Sequence, residues 1–250
     1  MNKWNKSDSF SDKVNITFIH SPIETGYFGR FIIPLTSSIS GDSYFFICDD
    51  DVIWGNRYFE NMLRVVNEGY LCTRNGRIID SNFQTTGVIF DKRIPVYKHA
   101  CYNEDIEYDF GGHIWAGRIS WLRKAWNHIP FSFENCEDFW ISAVLKSFYN
   151  ISTKTPRCPC PKGKPITPDL CAASDNSSIF HNDAIIGNSS IKHEIRHDLF
   201  AKITKTFNYP LMSINKPEYV KNIKSKYIFK DKLWNLKDDI WKSAINWVGC

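Results

Sequence analysis

The segment that decides the fold of this chain reads Tyr44-Phe45-Phe46-Ile47-Cys48-Asp49-Asp50-Asp51, an apolar run that leads directly into three acidic residues. Aromatic and β-branched residues without alternation are typical of a strand covered on both faces, so we expect a central buried strand over residues 43–48. Three adjacent carboxylates repel one another, and burying them costs several kcal/mol unless a cation compensates. Carboxylate oxygens suit Mg²⁺ or Mn²⁺, which can in turn bind a diphosphate. The alternative is an exposed acidic turn that follows the strand.

Strand and helix patterns alternate on both sides of this segment, which predicts a single α/β domain. Residues 111–117, rich in Gly and Trp, have the pattern of a loop or strand end. Strands are predicted at 14–20, 43–48 and 69–72, and helices at 28–38, 57–67, 120–126, 137–149, 191–206 and 232–247. We expect a disordered segment over 1–13, a catalytic domain over 14–215 and a C-terminal helical extension over 216–250.

Composition excludes several classes of protein. The chain has 250 residues, of which 43% are hydrophobic and 23% charged, as expected for a globular protein. Its net charge of +4 at pH 7 is too small to indicate nucleic-acid binding. No apolar run reaches the roughly 18 residues of a membrane span. The eight cysteines form no CxxC pair. The cysteine count and the Asn-x-Ser/Thr triplets are compatible with a protein of the secretory pathway and with a cytoplasmic protein.

A second acidic motif opens the helix at 137–149 and reads Glu134-Asn135-Cys136-Glu137-Asp138-Phe139-Trp140. Asp138 or Glu137 is a candidate active-site carboxylate that acts on an acceptor hydroxyl or on a cationic sugar. The alternative is a carboxylate that only caps the helix. Because the helix dipole favours an ionised carboxylate, we expect Asp138 to act as a base or an electrostatic stabiliser rather than as an acid.

Further candidates carry imidazole, guanidinium or indole groups. His181, and less strongly His193, is a candidate metal ligand, and Arg196 is suited to neutralise a leaving diphosphate. The alternative for each is an ordinary surface residue. Gly112, Trp115 and Trp121 are candidate acceptor residues, since indole rings stack on sugar faces, although both tryptophans suit the core equally well.

The order of these motifs resembles the GT-A fold of nucleotide-sugar glycosyltransferases and, more narrowly, the exostosin-like glycosyltransferase domain. Four pieces over residues 14–211 carry the resemblance: Gly29-Arg30-Phe31 before the acidic triplet, Asn135-Cys136-Glu137-Asp138, Thr155-Pro156-Arg157 with its following cysteines and prolines, and Arg196 ahead of Pro210-Leu211. The chain departs from the family at Leu199, where the family has a cysteine bonded to that of the Asn-Cys-Glu-Asp motif.

The resemblance implies a Rossmann-like mixed sheet flanked by helices, here without the first strand–helix unit. It also implies transfer of a hexose from a nucleotide-sugar, a UDP-sugar by expectation, to a hydroxyl of a glycan or protein acceptor, with either stereochemical course. The expected roles are nucleotide contacts from Arg30, Asp49, Asp50 and Asp51, a Mn²⁺ (or Mg²⁺) site at Asp49 and Asp51, catalysis by Asp138 with Glu137, and a diphosphate contact from Arg196.

Two other functions remain open at this point. A metal-dependent phosphohydrolase or nuclease also clusters carboxylates, but the sequence lacks a second acidic set for it. A non-catalytic carbohydrate-binding or scaffold protein derived from a transferase would fit the nine tryptophans. The apolar stripe at 233–248 fits a helix docked on the domain, a peripheral membrane contact or a partner-binding helix.

Overall fold

The computed structural model describes residues 26–36, 40–49, 52–83, 104–158, 170, 172–174 and 190–227. The strands in these ranges are β1 (Tyr44–Cys48), β2 (Val52–Trp54), β3 (Leu71–Arg77), β4 (Ile106–Tyr108), β5 (Phe110–Arg118), β6 (Thr153–Thr155) and β7 (Ala172–Ser174). The helices are α1 (Gly29–Thr36), α2 (Tyr58–Asn67), α3 (Ile119–Ala125), α4 (Glu137–Tyr149), α5 (Ser190–Thr206), α6 (Met212–Asn215) and α7 (Pro217–Tyr227). Asp50, Asp51, His181 and the predicted elements at 14–20 and 232–247 lie outside the described residues.

Within the described chain the main sheet has five strands in the order β1-β5-β3-β6-β4, and β2 pairs with β7 separately. Strands β3 and β6 are parallel, whereas the other neighbours in the main sheet are antiparallel. Helix α2 packs against β3 and β5, and α4 packs against β5. This mixed sheet with flanking helices confirms the predicted α/β class.

Strand β5 is the long strand between β1 and β3, so the prediction of a loop or strand end at 111–117 is wrong. Two of its glycines, Gly111 and Gly117, are required by close packing. A Cβ atom on Gly111 would lie 2.0 Å from Oγ1 of Thr73, and one on Gly117 would lie 2.8 Å from Cε1 of Phe45. Among the described strands, β1 pairs with β5. Its predicted central position stays a prediction, because the strand predicted at 14–20 lies outside the described residues.

Large aromatic side chains fill the core beside the sheet. Phe28, Phe31, Trp115 and Phe139 are each at most 2% exposed. Trp121 on α3 belongs to the same core and lies against Gly117. The sheet and these helices therefore share one hydrophobic core, which includes Trp121.

The apolar spacing of the helix at 57–67 predicts a buried face of Phe59, Leu63 and Val66, but of these three only Val66 is buried. Tyr58, Met62 and Val65 are buried, whereas Phe59 and Leu63 are only partly buried. Phe59 instead contacts outer aromatic side chains, with its ring centroid 4.9 Å from that of Phe46. Aromatic contacts outside the core therefore produced the misleading spacing.

The C-terminal helices pack on the β4 edge through a second apolar cluster. Its buried members come from both sides of the contact: Ile78, Ile106, Tyr108, Met212, Val220 and Ile223. Asp109 joins the two sides, because its carboxylate accepts the backbone N–H of Ile79 at 2.8 Å and that of Met212 at 3.0 Å. Among the described helices, none is long and apolar enough to cross a membrane.

Candidate active site

Five separate segments of the chain meet at a cavity of about 280 Å³ beside β5. Seven residues singled out from the sequence line it: Arg30, Asp49, Gly112, Trp115, Glu137, Asp138 and Arg196. The other lining residues are Tyr27, Phe110, His113, Cys136 and Phe200. The cavity is close in size to the smallest common ligand pockets, of roughly 300 Å³. The predicted carboxylates and guanidinium groups therefore share one site, although the sequence places them far apart.

Arg30 connects two of the acidic residues. Its Nη1 forms an ion pair with Oδ1 of Asp49, and its Nη2 lies 3.8 Å from Oε1 of Glu137. Its Nε donates to the carbonyl oxygen of Tyr27 at 3.1 Å, and the guanidinium carbon lies 5.0 Å from the ring centroid of Trp115. These contacts on several sides hold a positive charge in a fixed position at the cavity wall.

Asp49 is positioned by pairing between β1 and β5. Its backbone N–H donates to the carbonyl oxygen of His113 at 2.9 Å, which continues the ladder one residue beyond β1. Its carboxylate then lies where the strand ends, the usual position for ligand-binding groups in α/β proteins.

A β-bulge in β5 turns His113 toward Asp49. Thr73 pairs with Trp115 but Asn75 pairs with Gly112, so β5 has one more residue than β3 in this interval. His113 has a φ of 68°, in the left-handed region that few residues other than glycine adopt. As a result its Nδ1 lies 3.4 Å from Oδ2 of Asp49.

Glu137 and Asp138 begin α4 directly after Cys136, whose φ of 65° turns the chain into the helix. Oδ1 of Asp138 accepts the backbone N–H of Phe139 at 2.8 Å, so the side chain does contribute to capping. The same carboxylate lines the cavity. The two interpretations of Asp138, helix cap and active-site carboxylate, are therefore compatible.

Burial has the largest effect on the pKa of both carboxyl groups, Glu137 and Asp138. Burial raises the pKa of Glu137, and the negative charge of Asp138 raises it further. Burial also raises the pKa of Asp138, and it outweighs the Phe139 hydrogen bond and the charges of Arg196 and other arginines. Burial thus opposes the effect of the helix dipole at Asp138 and shifts its pKa upward, whereas the dipole alone would shift it downward.

The remaining predicted residues divide between the cavity, the core and the undescribed parts of the chain. Arg196 on α5 lines the cavity and acts electrostatically on both carboxyl groups of α4. Trp115 lines it while its Nε1 donates to the carbonyl oxygen of Gly111 at 3.1 Å. Trp121 lies in the core and is not among the lining residues. Asp50, Asp51 and His181 lie outside the described residues, as does the side chain of His193.

A divalent cation fits this cavity only together with an anionic ligand. Within the described ranges, no three His, Cys, Asp or Glu side chains form a ready-made metal site. Asp49 supplies a carboxylate at the cavity. A Mg²⁺-like ion that binds with a diphosphate needs only one or two protein carboxylates, because phosphate oxygens and water complete its coordination. The described donors therefore fit a shared cation and do not fit a closed structural site.

A second cavity, of about 200 Å³, lies between the sheet and the C-terminal helices. Its lysines already have partners: Lys216 lies 2.7 Å from Glu107, and Lys146 donates to Ser152 at 2.7 Å. The lysines of the second cavity thus bind groups of the fold itself. The first cavity, in contrast, is lined by acidic and basic groups from segments far apart in the sequence. The first cavity is therefore the candidate active site.

Two cavity residues, Tyr27 and His113, were missed by the sequence analysis. The signal for His113 was its place after Gly111-Gly112, since paired glycines inside a strand often mark a bulge. Tyr27 precedes Arg30 by less than one helical turn. It contacts that residue through its backbone carbonyl and through its ring, whose centroid lies 5.5 Å from the guanidinium carbon.

Neither protein-family models nor curated protein sequences match this chain. Cys136 is a free thiol and Leu199 occupies the position of the exostosin-like cysteine, so the disulfide of that family has no counterpart here. Functional conclusions must therefore be drawn from the cavity itself.

Proposed function

We propose that this protein is a divalent-metal-dependent glycosyltransferase of the GT-A type. It would move a hexose from a UDP-sugar or a similar donor to a hydroxyl of a glycan or protein acceptor. The observation that carries the proposal is one cavity lined by Asp49, from the acidic triplet, and Asp138, from the helix motif, with Arg30 and Arg196 beside them. This is the set of side chains that the exostosin-like resemblance implies for one site.

The two arginines suit a diphosphate. Guanidinium groups bind phosphate oxygens in a bidentate manner and stay charged at any physiological pH. Arg30 is fixed by Tyr27 and Trp115, so little ordering is needed before it binds an anion. A bound Mn²⁺ or Mg²⁺ would add positive charge at the diphosphate, with Asp49 as its described ligand.

The carboxyl groups of α4 suit the reacting sugar. During transfer the bond from the acceptor oxygen to the anomeric carbon forms while the bond from that carbon to the diphosphate breaks. Positive charge develops on the sugar, and an ionised Asp138 would stabilise it or receive the acceptor proton. Gly112 has no side chain beside Asp138, which leaves room for a ring. Negative charge develops on the departing diphosphate, where Arg196 would stabilise it.

Calorimetric titration with UDP, with and without Mn²⁺, tests the proposal. We expect binding that requires Mn²⁺, and we expect Asp49→Asn to lose it while the matched control Asp42→Asn, at an exposed turn, retains it. Incubation with a panel of UDP-sugars should then release UDP. Metal-independent binding, or none for any nucleoside diphosphate, would contradict the proposal. Sugar binding without turnover would instead favour the carbohydrate-binding alternative, and release of inorganic phosphate would favour a phosphohydrolase.

A further inference from the structure

Asn150 combines an acceptor motif for N-linked glycosylation with an exposed position. It begins the triplet Asn150-Ile151-Ser152, in which a hydroxyl residue follows the asparagine at the required spacing. Asn150 is exposed and ends α4 in a turn, with a φ of 54° and a ψ of 32°. A bulky glycan needs such a surface position. This triplet lies within the described residues, whereas the triplets at Asn5, Asn15, Asn176 and Asn188 lie outside them.

The hydrogen bonds that Asn150 makes with the described residues do not use its side-chain amide nitrogen. Its backbone N–H donates to the carbonyl oxygen of Lys146 at 3.2 Å, and its Oδ1 accepts from Nζ of Lys146 at 3.3 Å. A glycan is attached to Nδ2 and leaves the amide oxygen unchanged. The contacts that hold this turn are therefore compatible with the modification.

A glycan on Asn150 is also compatible with an open active site. Glu137 and Asp138, which line the candidate active site, begin α4, and Asn150 follows Tyr149, its last residue. The helix has 13 residues, so its two ends lie about 20 Å apart. The modification would thus be at the end of α4 that is remote from the cavity.

Cys158 provides independent evidence about the compartment in which the chain folds. It is disulfide-bonded. Disulfides form and persist in oxidising compartments such as the lumen of the endoplasmic reticulum, and they are rare in the cytosol. N-linked glycans are added in that same lumen. The disulfide and the exposed acceptor triplet therefore indicate one compartment.

We propose that Asn150 carries an N-linked glycan, which the chain receives in the lumen of the endoplasmic reticulum. In this step Nδ2 forms a bond to the anomeric carbon of an oligosaccharide, and the bond from that carbon to the diphosphate of a lipid carrier breaks. Nδ2 loses one proton, and the lipid diphosphate is the leaving group. A cellular transferase acts on the chain before the domain folds, so Ile151 and Ser152 can be buried in the final structure.

Mass spectrometry of the protein purified from the cells that naturally make it tests this proposal. Trypsin cleaves after Lys146 and Lys154 and releases the peptide Ser147–Lys154, which contains one acceptor triplet. Peptide N-glycosidase in heavy-oxygen water converts a glycosylated asparagine into a labelled aspartate. We expect this label at Asn150. We also expect Cys158 to resist alkylation until the protein is reduced.

Two variants separate the modification from the structure of the turn. Asn150→Gly removes the acceptor but keeps the left-handed conformation, which glycine adopts readily. Ser152→Thr keeps a hydroxyl group at the required position. In the same cells, we expect Asn150→Gly to lose the part of the glycosidase-sensitive electrophoretic shift that belongs to one glycan, and Ser152→Thr to retain it.

Three results would overturn the proposal: an unlabelled Asn150 in the natural protein, a glycosidase-sensitive shift in Asn150→Gly equal to that of the wild type, or alkylation of Cys158 without reduction. The first measurement uses the unaltered chain and does not depend on whether a variant folds. Because Asn150 does not line the candidate active site, none of these results bears on the proposed transferase activity.

Discussion

A Cβ atom placed on Gly112 would lie 3.8 Å from Oδ2 of Asp138, so the backbone of β5 forms the wall opposite this carboxylate. The same Cβ would lie 3.7 Å from Cζ2 of Trp115, also an ordinary van der Waals distance. Gly111 differs, because there a Cβ would lie 2.0 Å from Oγ1 of Thr73. Packing therefore requires glycine at Gly111 but not at Gly112, where the missing side chain leaves space next to Asp138.

Enlarging Gly112 should impair turnover without unfolding the protein. We expect Gly112→Ala to change the free energy of unfolding by less than about 1 kcal/mol. Gly112→Leu should fill the space beside Asp138 and raise the KM for the sugar nucleotide or the acceptor, while affinity for UDP changes little. Steady-state kinetics and UDP titration check this, with Gly41→Ala as a control outside the cavity. Full activity in Gly112→Leu would show that no substrate occupies this space.

Asp109 should give the folding stability a distinctive pH dependence. Burial raises its pKa from 3.8 to about 7. Between these values the native state binds more protons than the unfolded chain. Its contribution to stability is complete below about pH 4 and is lost as the pH rises toward 7, with a slope of up to about 1.4 kcal/mol per pH unit. Denaturant unfolding at several pH values measures this slope.

Asp109→Asn isolates the contribution of this carboxyl group. One amide oxygen cannot accept from both Ile79 and Met212, so we expect a loss of about 1–3 kcal/mol at pH 5. The loss of stability in Asp109→Asn should be smaller at pH 8, because the wild-type protein must then bury an ionised carboxylate. The variant Tyr209→Phe removes a hydroxyl that donates to the Asp109 carbonyl oxygen and also lowers the pKa of the Asp109 carboxyl group, so it should move the fall in stability to higher pH without abolishing it. A difference between Asp109→Asn and wild type that is constant with pH would contradict the assignment.

Helices with a regular apolar period could be predicted from the sequence, and strands rich in glycine could not. The helix at 137–149 was predicted with both ends correct. The central strand β5 was not predicted, because Gly111 and Gly117 are present for contacts with Thr73 and Phe45 that the local sequence does not show. Burial on α2 was predicted correctly for Val66 but not for Phe59, which is only partly buried and packs on Phe46.

The charged residues of the sequence motifs indicated most of the described site residues. The others could be identified only from the structure. The acidic triplet indicated Asp49, the motif at the start of the helix indicated Asp138, and suitability for a diphosphate indicated Arg196. All three line one cavity. His113 depends on a bulge that arises only when β3 and β5 pair. The upward shift of the Asp138 pKa comes from burial at the start of α4, which the helix dipole alone does not indicate.

Arg196→Lys should lower kcat more than it weakens UDP binding. Lysine keeps the charge but cannot form two parallel hydrogen bonds to phosphate oxygens. If Arg196 acts mainly on the charge that develops on the departing diphosphate, kcat should fall roughly tenfold or more while the Kd for UDP with Mn²⁺ changes less. Arg57→Lys, on the exposed side of α2, is the matched control. Equal losses in kcat and in UDP affinity would mean that Arg196 serves ground-state binding alone.

Asp138→Asn separates the charge of this residue from its contribution to the helix end. The N-cap residue of α4 is Cys136, and the amide oxygen of the Asp138→Asn variant can still accept the N–H of Phe139, so α4 should form as before. Removing a buried carboxylate beside Glu137 should leave thermal stability equal or raise it, because burial disfavours the charge.

Transfer should nevertheless fall by roughly 10²–10⁴-fold in Asp138→Asn, the usual contribution of a positioned acid–base group. Affinity for UDP with Mn²⁺ should stay near the wild-type value, since Arg30 and Asp49 remain on the other side of the cavity. A stable variant that binds UDP without transferring sugar cannot be explained by capping, because the cap is intact. If Asp138→Asn instead turns over like wild type, the carboxylate serves only the helix end, and the catalytic role must pass to Glu137, which Glu137→Gln would then test.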